Sequence, residues 1–404
     1  MSSYLLGVLL FALGIAVTIA LHEAGHMLVA RAFGMRVRRY FIGFGPRLAS
    51  FQRGHTEYGV AAVPFGGFCE IAGMTANDEL SAEEAPHAMV NKPWWQRVAV
   101  LSGGVAVNLL LGFSILYGVA VTSGIPNPYA DRTATVGEIV CTADQNPETG
   151  ELEQCTGVGA GGRAGIEVGD RILAVDGHEV ENFQRLAAEV AERPGETVEF
   201  TVEKRGQRVD VPVTIDAVTR YSAEGQAREV GSVGLVNQPV NDSVRTFSPA
   251  EAVPATLALT GQTLKATVDG VIQLPAKIPG VVASIFGAER DDESPMSVVG
   301  ASRIGGELVE RSLWTSFLML LASLNFLLAL FHLVPLPPLD GGHILVVLYE
   351  KARDLLRRLR GLPAGEPVNY EKLLPVTYVM AALLMGFGGL VLIADVVNPV
   401  TLFG

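Results

Sequence analysis

The chain has 404 residues, a formal net charge of −12 and a mean hydropathy of +0.34. Hydrophobic residues make up 49% of the sequence and charged residues 18%, a balance typical of membrane proteins rather than of purely water-soluble ones. The length allows more than one domain. The acidic balance gives no reason to expect a nucleic-acid partner.

Four stretches without Asp, Glu, Lys or Arg are long enough to cross a bilayer, since a helix needs roughly 20 apolar residues to span about 30 Å of hydrocarbon. The first stretch lacks a basic leader and a small-residue cleavage site, so we expect it to be retained rather than removed as a signal peptide. The sequence therefore predicts a polytopic α-helical membrane protein with four transmembrane helices, which contain residues 4–21, 98–122, 312–339 and 373–394.

Basic residues are concentrated in two connecting segments. Residues 31–97 hold eight Lys or Arg and residues 350–372 hold six, whereas residues 123–311 hold 29 acidic and 16 basic residues. Because positively charged connections stay in the cytoplasm, we expect the two basic segments to be cytoplasmic and the long acidic segment to be extracytoplasmic. The predicted location is the cell membrane, with both chain termini outside.

The first predicted transmembrane segment, residues 1–34, contains the sequence His-Glu-Ala-Gly-His. On a helix, His22 and His26 lie one turn apart on one face and can bind one zinc ion, while Glu23 is placed to act on a water molecule at that ion. Unpaired polar groups in hydrocarbon cost on the order of several kcal/mol, which a divalent cation would offset. The alternative is a group of satisfied polar residues at a helix end.

Residues 35–92 are predicted to form a membrane-associated β-hairpin and a loop on the cytoplasmic side. In Thr56–Met74, alternating Val, Tyr and Phe bounded by Gly and Pro indicate short strands with Gly66-Gly67 between them. An edge strand can hold an unwound substrate by β-strand addition, and glycine permits close backbone approach; a purely structural turn is the alternative. The substrate-binding residues predicted here are Val63, Pro64, Phe65, Gly66, Gly67 and Phe68.

The second transmembrane helix is predicted within residues 93–123, and an extracytoplasmic α+β domain within residues 124–235. The sequence GGRAGIEVGDRILAVDGHEV and its surroundings resemble a bacterial PDZ domain. Such domains bind an extended peptide, often through its C-terminal carboxylate; a β-rich spacer that binds nothing is the alternative. The resemblance implies a peptide-binding loop formed by Arg132, Thr133, Ala134, Thr135 and Val136.

Two of the three cysteines, Cys141 and Cys155, flank a polar insertion in the segment predicted to be outside. Oxidising conditions there permit a disulfide, and the sequence is equally compatible with two free thiols. Residues 236–311, which include Pro254, Pro275 and Pro279, are predicted to form helices on the membrane surface.

The third transmembrane segment, residues 312–349, contains an isolated carboxylate at Asp340. Three prolines break the helix just before it, and broken backbone at membrane depth is tolerated where it is buried in protein or lines a wet cavity. A catalytic zinc usually has three protein ligands, so Asp340 is the predicted third ligand. A cytoplasmic loop at residues 350–372 and a fourth transmembrane helix at residues 373–400 follow.

Five features together resemble the site-2 protease family: HEAGH, FGGF, SGGVAVNLLLG, the PDZ-like domain and VPLPPLDGGH. Their order is similar to the bacterial regulator-of-sigma-E protease type with one PDZ domain, in its actinobacterial version. The resemblance implies one zinc ion per chain, held by His22, His26 and Asp340, with Glu23 as the catalytic residue. It also implies that the substrates are single-pass membrane proteins such as anti-sigma factors, already shortened outside by a first protease.

One position departs from the family pattern, which has asparagine where this chain has His332. In the family that asparagine helps to polarise the scissile carbonyl, and either His332 or Asn325 can supply the hydrogen bond. His343 is either an extra ligand or a structural residue. Asn108 is expected to line the cavity, as the family's comparable asparagine does, with helix packing as the alternative.

The leading hypothesis is an intramembrane zinc endopeptidase that contacts membrane lipid. Zinc lowers the pKa of its water, and Glu23 moves the proton to the leaving amine. A catalytically silent PDZ scaffold is the second class, although such a protein has no need of Glu23. A metal carrier is the third, but it requires polar groups along several spans. The oligomeric state stays open.

Overall fold

The structure is a computed structural model that describes residues 3–75, 77–147, 149–221, 226–240, 242–288, 290–291 and 294–402, without the side chains of Pro64 and Phe65. The helices are α1 (Ser3–Ala32), α2 (Trp94–Leu101), α3 (Gly103–Thr122), α4 (Ala160–Arg163), α5 (Phe183–Ala191), α6 (Pro249–Ile285), α7 (Val298–Glu310), α8 (Trp314–Leu333), α9 (Asp340–Leu359) and α10 (Leu374–Val397). The strands are β1 (Val37–Arg53), β2 (Thr56–Ile71), β3 (Ile125–Pro126), β4 (Ala134–Ile139), β5 (Arg171–Val175), β6 (His178–Glu179), β7 (Thr197–Lys204), β8 (Gln207–Thr214), β9 (Asp216–Tyr221), β10 (Ala227–Ser232), β11 (Leu235–Asn237) and β12 (Val244–Arg245).

The chain forms two compact units. The first contains residues 1–125 and 246–404, and the second contains residues 126–245.

Five described helical segments are long and apolar enough to cross a membrane: Ser3–Ala32, Gly103–Thr122, Pro249–Ile285, Trp314–Leu333 and Tyr370–Val397. With these segments and its β strands, the chain is a multi-pass membrane protein with a β part. The predicted count of four is not confirmed, because Pro249–Ile285 lies where we predicted surface helices. Its hydropathy is lower than that of the other four, and three internal prolines obscure its helical pattern.

The third predicted transmembrane segment consists of two helices rather than one. Helix α8 ends at Leu333 and α9 begins at Asp340, with the proline-rich turn between them. Helix α9 continues to Leu359, so the first part of the predicted cytoplasmic loop is helical. Arg357 and Arg358 in its last turn suit the negative end of the helix dipole.

The hairpin differs from the prediction in its turn. Residues 47–53 pair with 56–61 across a tight turn at Gly54-His55, whereas Gly66 and Gly67 lie inside β2. Residues 37–42 pair with 67–71 on one side and also lie beside 57–60 on the other. The prediction that Gly66-Gly67 separates two strands was therefore wrong. Gly66 has a φ of +97°, and the strand register is irregular where β1 and β2 bend. Gly66 therefore allows the strand to bend.

In the first unit, the buried side of α1 is a stripe of residues spaced three or four positions apart. Thr18, His22, Gly25 and His26 belong to this stripe. Small residues let α3 approach closely, since a Cβ at Gly103 would lie 2.7 Å from the carbonyl oxygen of Gly25. Close contact between glycine-containing helices is typical of membrane helix packing. The stripe therefore turns both histidines of the motif towards α3.

The second unit contains an antiparallel sheet with the strand order β11-β4-β5-β7-β8. Its core contains Phe200, Ile172 and Leu186, the last of which comes from α5. Cys141 and Cys155 form a disulfide. The free cysteine of the described residues is Cys69, in the first unit.

The predicted peptide-binding loop is wrong for three of its five residues. Ala134, Thr135 and Val136 belong to β4, where the first two pair with β5 and Val136 pairs with Asn237 of β11. Ala134 and Val136 are fully buried. Backbone groups that are already paired in a sheet are not free to bind a carboxylate, and the apolar side chains face the core. Arg132 and Thr133 precede the strand.

Candidate metal centre and active site

Three predicted ligands from α1 and the start of α9 converge. The Nε2 atoms of His22 and His26 are 3.2 Å apart, and each lies 3.4 Å from Oδ2 of Asp340. Their ligand atoms all lie within 4.8 Å of one another. Zinc binds histidine nitrogen and carboxylate oxygen at about 2.0–2.2 Å in a tetrahedral arrangement, which separates the ligand atoms by about 3.3 Å. The three side chains therefore fit one zinc ion.

The second ring nitrogen of His26 has a partner that orients the imidazole. Its Nδ1 donates to the carbonyl oxygen of Val100, 2.8 Å away, which leaves Nε2 deprotonated and directed at Asp340. Such a contact is the usual means of fixing the tautomer of a metal-binding histidine. Nδ1 of His22 is buried without a hydrogen-bond partner among the described residues.

Gly104 of α3 closes one side of the centre. A Cβ at this position would lie 2.6 Å from Nε2 of His22 and closer still to Nε2 of His26. Both histidines are buried, so neither ring has open space in which to move aside. Sequence reasoning did not identify Gly104 as a site residue, although the Gly103-Gly104 pair at the start of an apolar helix was the available signal.

Glu23 lies between the metal ligands and the hairpin. It forms a hydrogen bond with the backbone amide of Cys69 and interacts electrostatically with His26 and Asp340. A Cβ at Gly67 would lie 3.2 Å from Cγ of Glu23. The strand segment 67–71 has β1 as its strand neighbour within the described residues, so its other edge faces away from the sheet beside Glu23.

Of the six substrate-binding residues predicted on the hairpin, Gly67 and Phe68 lie in this edge segment. Val63 pairs with Phe44 near the bend and is exposed, and Gly66 is at the bend itself. The side chains of Pro64 and Phe65 lie outside the described part. Phe68 stacks on Phe41 with 5.4 Å between ring centroids.

His332 contacts the predicted ligand Asp340. Its Nδ1 lies 3.0 Å from Oδ2 of Asp340, and its ring is 4.3 Å from that of His22 between centroids. A carboxylate can only accept, so Nδ1 donates. A neutral His332 then has no proton left on Nε2 for a substrate carbonyl. The geometry gives His332 a positioning contact, and its oxyanion role stays a prediction.

The two predicted asparagines are buried on different helices. Asn108 of α3 lies one turn after Gly104, and neither polar atom of its side chain has a hydrogen-bond partner among the described residues. Asn325 of α8 donates to Oγ1 of Thr18 at 3.3 Å and to the carbonyl oxygen of Leu321 at 2.8 Å. Asn325 thus ties α8 to α1, while Asn108 keeps its hydrogen-bonding capacity.

A buried ion pair helps to hold α9, which carries Asp340. Arg97 of α2 and Glu350 of α9 approach to 2.8 Å, and both side chains are nearly inaccessible. Glu350 also accepts from the backbone amide of Val368 at 2.8 Å. Sequence analysis did not predict this pair, because the two residues are far apart in the chain.

Two buried histidines, a carboxylate and an adjacent glutamate define the site of a metallopeptidase. The sequence profile of peptidase family M50 matches residues 10–369, and the chain belongs to this family. The zinc metalloprotease Rip1 of Mycolicibacterium smegmatis is 47% identical over 405 residues, which cover 98% of this chain and 99% of that protein. The Rip1 of Mycobacterium tuberculosis is 45% identical, with 99% of each chain covered. A putative zinc metalloprotease of Agrobacterium fabrum is 27% identical over 88% of this chain and 87% of its own length.

These comparisons confirm the predicted family and the predicted class of enzyme, a zinc metallopeptidase with Zn²⁺ as its cofactor. They do not assign individual residues, which rest on the geometry described above.

Replacing His332 with alanine is expected to weaken zinc binding by about 10- to 100-fold, the usual effect of removing a partner of a metal ligand. The matched control is His343→Ala: His343 stacks on Tyr370 and lies 3.5 Å from its hydroxyl. Zinc affinity measured by competition with a chelator should fall for the first variant and stay near wild type for the second. A loss of zinc affinity in His343→Ala but not in His332→Ala would identify His343 as the residue that supports the metal.

Proposed function

We propose that the chain is an intramembrane zinc endopeptidase that cuts single-pass membrane proteins such as anti-sigma factors after a first cut outside. The observation that carries this proposal is the position of the site. His22, Glu23 and His26 belong to a helix that is apolar enough to cross a membrane, and the third ligand group, Asp340, follows α8, a second such helix.

In the proposed mechanism, His22, His26 and Asp340 would hold zinc, and His332 would orient the aspartate. When bound, the ion would supply the Lewis acidity needed to lower the pKa of a water molecule and to polarise the scissile carbonyl. Glu23 accepts the proton of the attacking water and passes it to the leaving amine nitrogen. The Cys69 amide, by donating to the Glu23 carboxylate, orients the residue that moves the proton.

A substrate helix must unwind before its carbonyl groups become accessible, because they are hydrogen-bonded within the helix. The free edge of residues 67–71 offers backbone groups to an unwound segment, as in β-strand addition. Gly67 lets such a segment pass close to Glu23. Asn108, with both polar atoms unpaired among the described residues, is the proposed hydrogen-bond partner of the substrate backbone on the α3 side.

We further propose that the second unit contains the predicted PDZ domain, outside the membrane, and that the active site lies near the cytoplasmic side. The antiparallel sheet with α4 and α5 supports the domain type, and the distribution of basic residues supports the sidedness. Such a domain would restrict cleavage to substrates that have lost their bulky outer part.

The test uses one single-pass substrate in two forms, with its complete outer domain and with that domain shortened, each tagged at its cytoplasmic end. Co-expression with the wild-type chain should release the tagged fragment from the shortened form and leave the complete form intact. Cleavage of a soluble peptide of the same sequence, without cleavage of either membrane form, would contradict the intramembrane assignment. Equal cleavage of both membrane forms would contradict the proposed restriction.

A further inference from the structure

A basic cavity lies where α1 ends and the hairpin turns. It has a volume of about 360 Å³ and is lined by Arg31, Arg36, Arg53, His55 and His87. Arg31 comes from the last turn of α1, Arg53 and His55 flank the turn glycine Gly54, and His87 belongs to a short helix. Three arginines and two histidines from separate parts of the chain therefore surround one space.

Neighbouring arginines outside the cavity are neutralised by carboxylates. Arg38 binds Asp78 at 2.9 Å and Glu84 at 2.7 Å. By donating to Glu84, Arg38 lowers the pKa of that carboxyl to about 2. Arg47 binds Glu57 at 2.7 Å. Asp78, Glu84 and Glu57 thus pair with arginines that do not line the cavity.

The cavity arginines have mostly neutral partners instead. Arg31 donates to the hydroxyl groups of Thr56 and Tyr58. Arg36 lies 3.2 Å from Nδ1 of His55, and its ion-pair contact, with the exposed Glu83, is long at 3.8 Å.

Arg53 forms no ion pair within the described part of the chain. A cleft lined by charges of one sign concentrates their field and attracts the opposite charge. The charges that line the cavity therefore suit it to bind an anion.

We propose that this cavity binds the phosphate group of an anionic membrane lipid. Guanidinium groups match the geometry of phosphate oxygens. The cavity lies at the end of a candidate membrane helix, and Leu28, one turn before Arg31, is 60% exposed. Leu48 and Phe51, on the strand segment that leads to Arg53, are 69% and 63% exposed. Both chain segments that lead to the cavity therefore carry exposed apolar residues, which suit acyl chains, and a free phosphate ion has no acyl chains.

This site would act on the junction between α1 and the hairpin. Arg31 bridges the helix to Thr56 and Tyr58, and Tyr40 of the same sheet donates to the carbonyl oxygen of Ala20 at 2.6 Å. A bound phosphate would offset the repulsion among the arginines and so hold the hairpin against the helix that carries Glu23.

The test measures lipid binding to the purified full-length chain in neutral detergent by native mass spectrometry. The probes are dioctanoyl phosphatidylglycerol, dioctanoyl phosphatidylcholine and inorganic phosphate. Wild type should prefer phosphatidylglycerol, and Arg36→Gln combined with Arg53→Gln should weaken its binding by about tenfold or more, from the loss of two charges near the membrane surface. Arg47→Gln, on the same hairpin but outside the cavity, should bind as wild type does.

Arg53→Gln alone is the variant least able to disturb folding, because Arg53 is exposed at a turn, and it should show a smaller loss in the same direction. Equal phosphatidylglycerol binding by wild type and both variants would overturn the proposal. So would equal binding of the two lipids by wild type. Inorganic phosphate that binds as tightly as phosphatidylglycerol would assign the cavity to a free anion and contradict the lipid.

Discussion

Replacing Glu23 with glutamine is expected to slow cleavage of a shortened single-pass substrate by about 10²- to 10⁴-fold, the usual contribution of a general acid–base residue. Glutamine keeps the size and the hydrogen-bond acceptor that faces the Cys69 amide, but it cannot accept a proton. The metal ligands His22, His26 and Asp340 are unchanged. Zinc content should therefore stay at the wild-type value while activity is lost.

The control for this substitution is Glu57→Gln, which changes a hairpin carboxylate paired with Arg47 and should leave cleavage near wild type. The measurement is the rate of fragment release in proteoliposomes, with zinc content determined on the same samples. Wild-type cleavage by Glu23→Gln would remove the proton-transfer role. Loss of zinc together with activity would show that Glu23 acts on the metal site instead.

Adding one methyl group at Gly104 is expected to abolish zinc binding. The new Cβ would lie 2.6 Å from Nε2 of His22 and closer to Nε2 of His26, so it would displace the two nitrogens that bind the ion. Alanine has a higher helix propensity than glycine, so a loss would not arise from a weakened α3. The cleavage rate should fall with the zinc content.

Gly118→Ala provides the matched control, because Gly118 lies on the same helix and a Cβ there would meet no atom within 4 Å. The zinc content of the two purified variants is measured by inductively coupled plasma mass spectrometry. It should be near zero for Gly104→Ala and near the wild-type value for Gly118→Ala. Full zinc occupancy in Gly104→Ala would mean that the histidines bind the ion with atoms other than those facing α3.

The ligand set could be predicted because its chemistry is visible without a fold. Two histidines four residues apart define a helical face, and Asp340 is an isolated acid behind a proline break. In the structure these groups lie within 4.8 Å of one another. The contacts of Gly104 and Val100 with the histidines could not be predicted, since they depend on how closely α3 approaches α1.

The errors in the fold have physical causes. Gly66-Gly67 was predicted to separate two strands because glycine pairs commonly interrupt strands, but both glycines lie inside β2 at a bend, and Gly54 supplies the turn. Pro249–Ile285 was not predicted as a candidate span because its three internal prolines suggested helix breaks. Prolines are tolerated in membrane helices where neighbouring groups compensate for the freed backbone. The peptide loop was misplaced because strand pairing of Ala134–Val136 depends on partners distant in sequence.

The most direct measurement is zinc K-edge X-ray absorption on the purified full-length protein, with metal content determined on the same sample. The proposed centre predicts one zinc ion per chain and a ligand shell of nitrogen and oxygen at about 2.0–2.2 Å, with the scattering of two imidazole rings. It also predicts that Asp340→Ala loses the bound zinc. A sulfur ligand, a shell without histidine, or unchanged zinc in Asp340→Ala would contradict it.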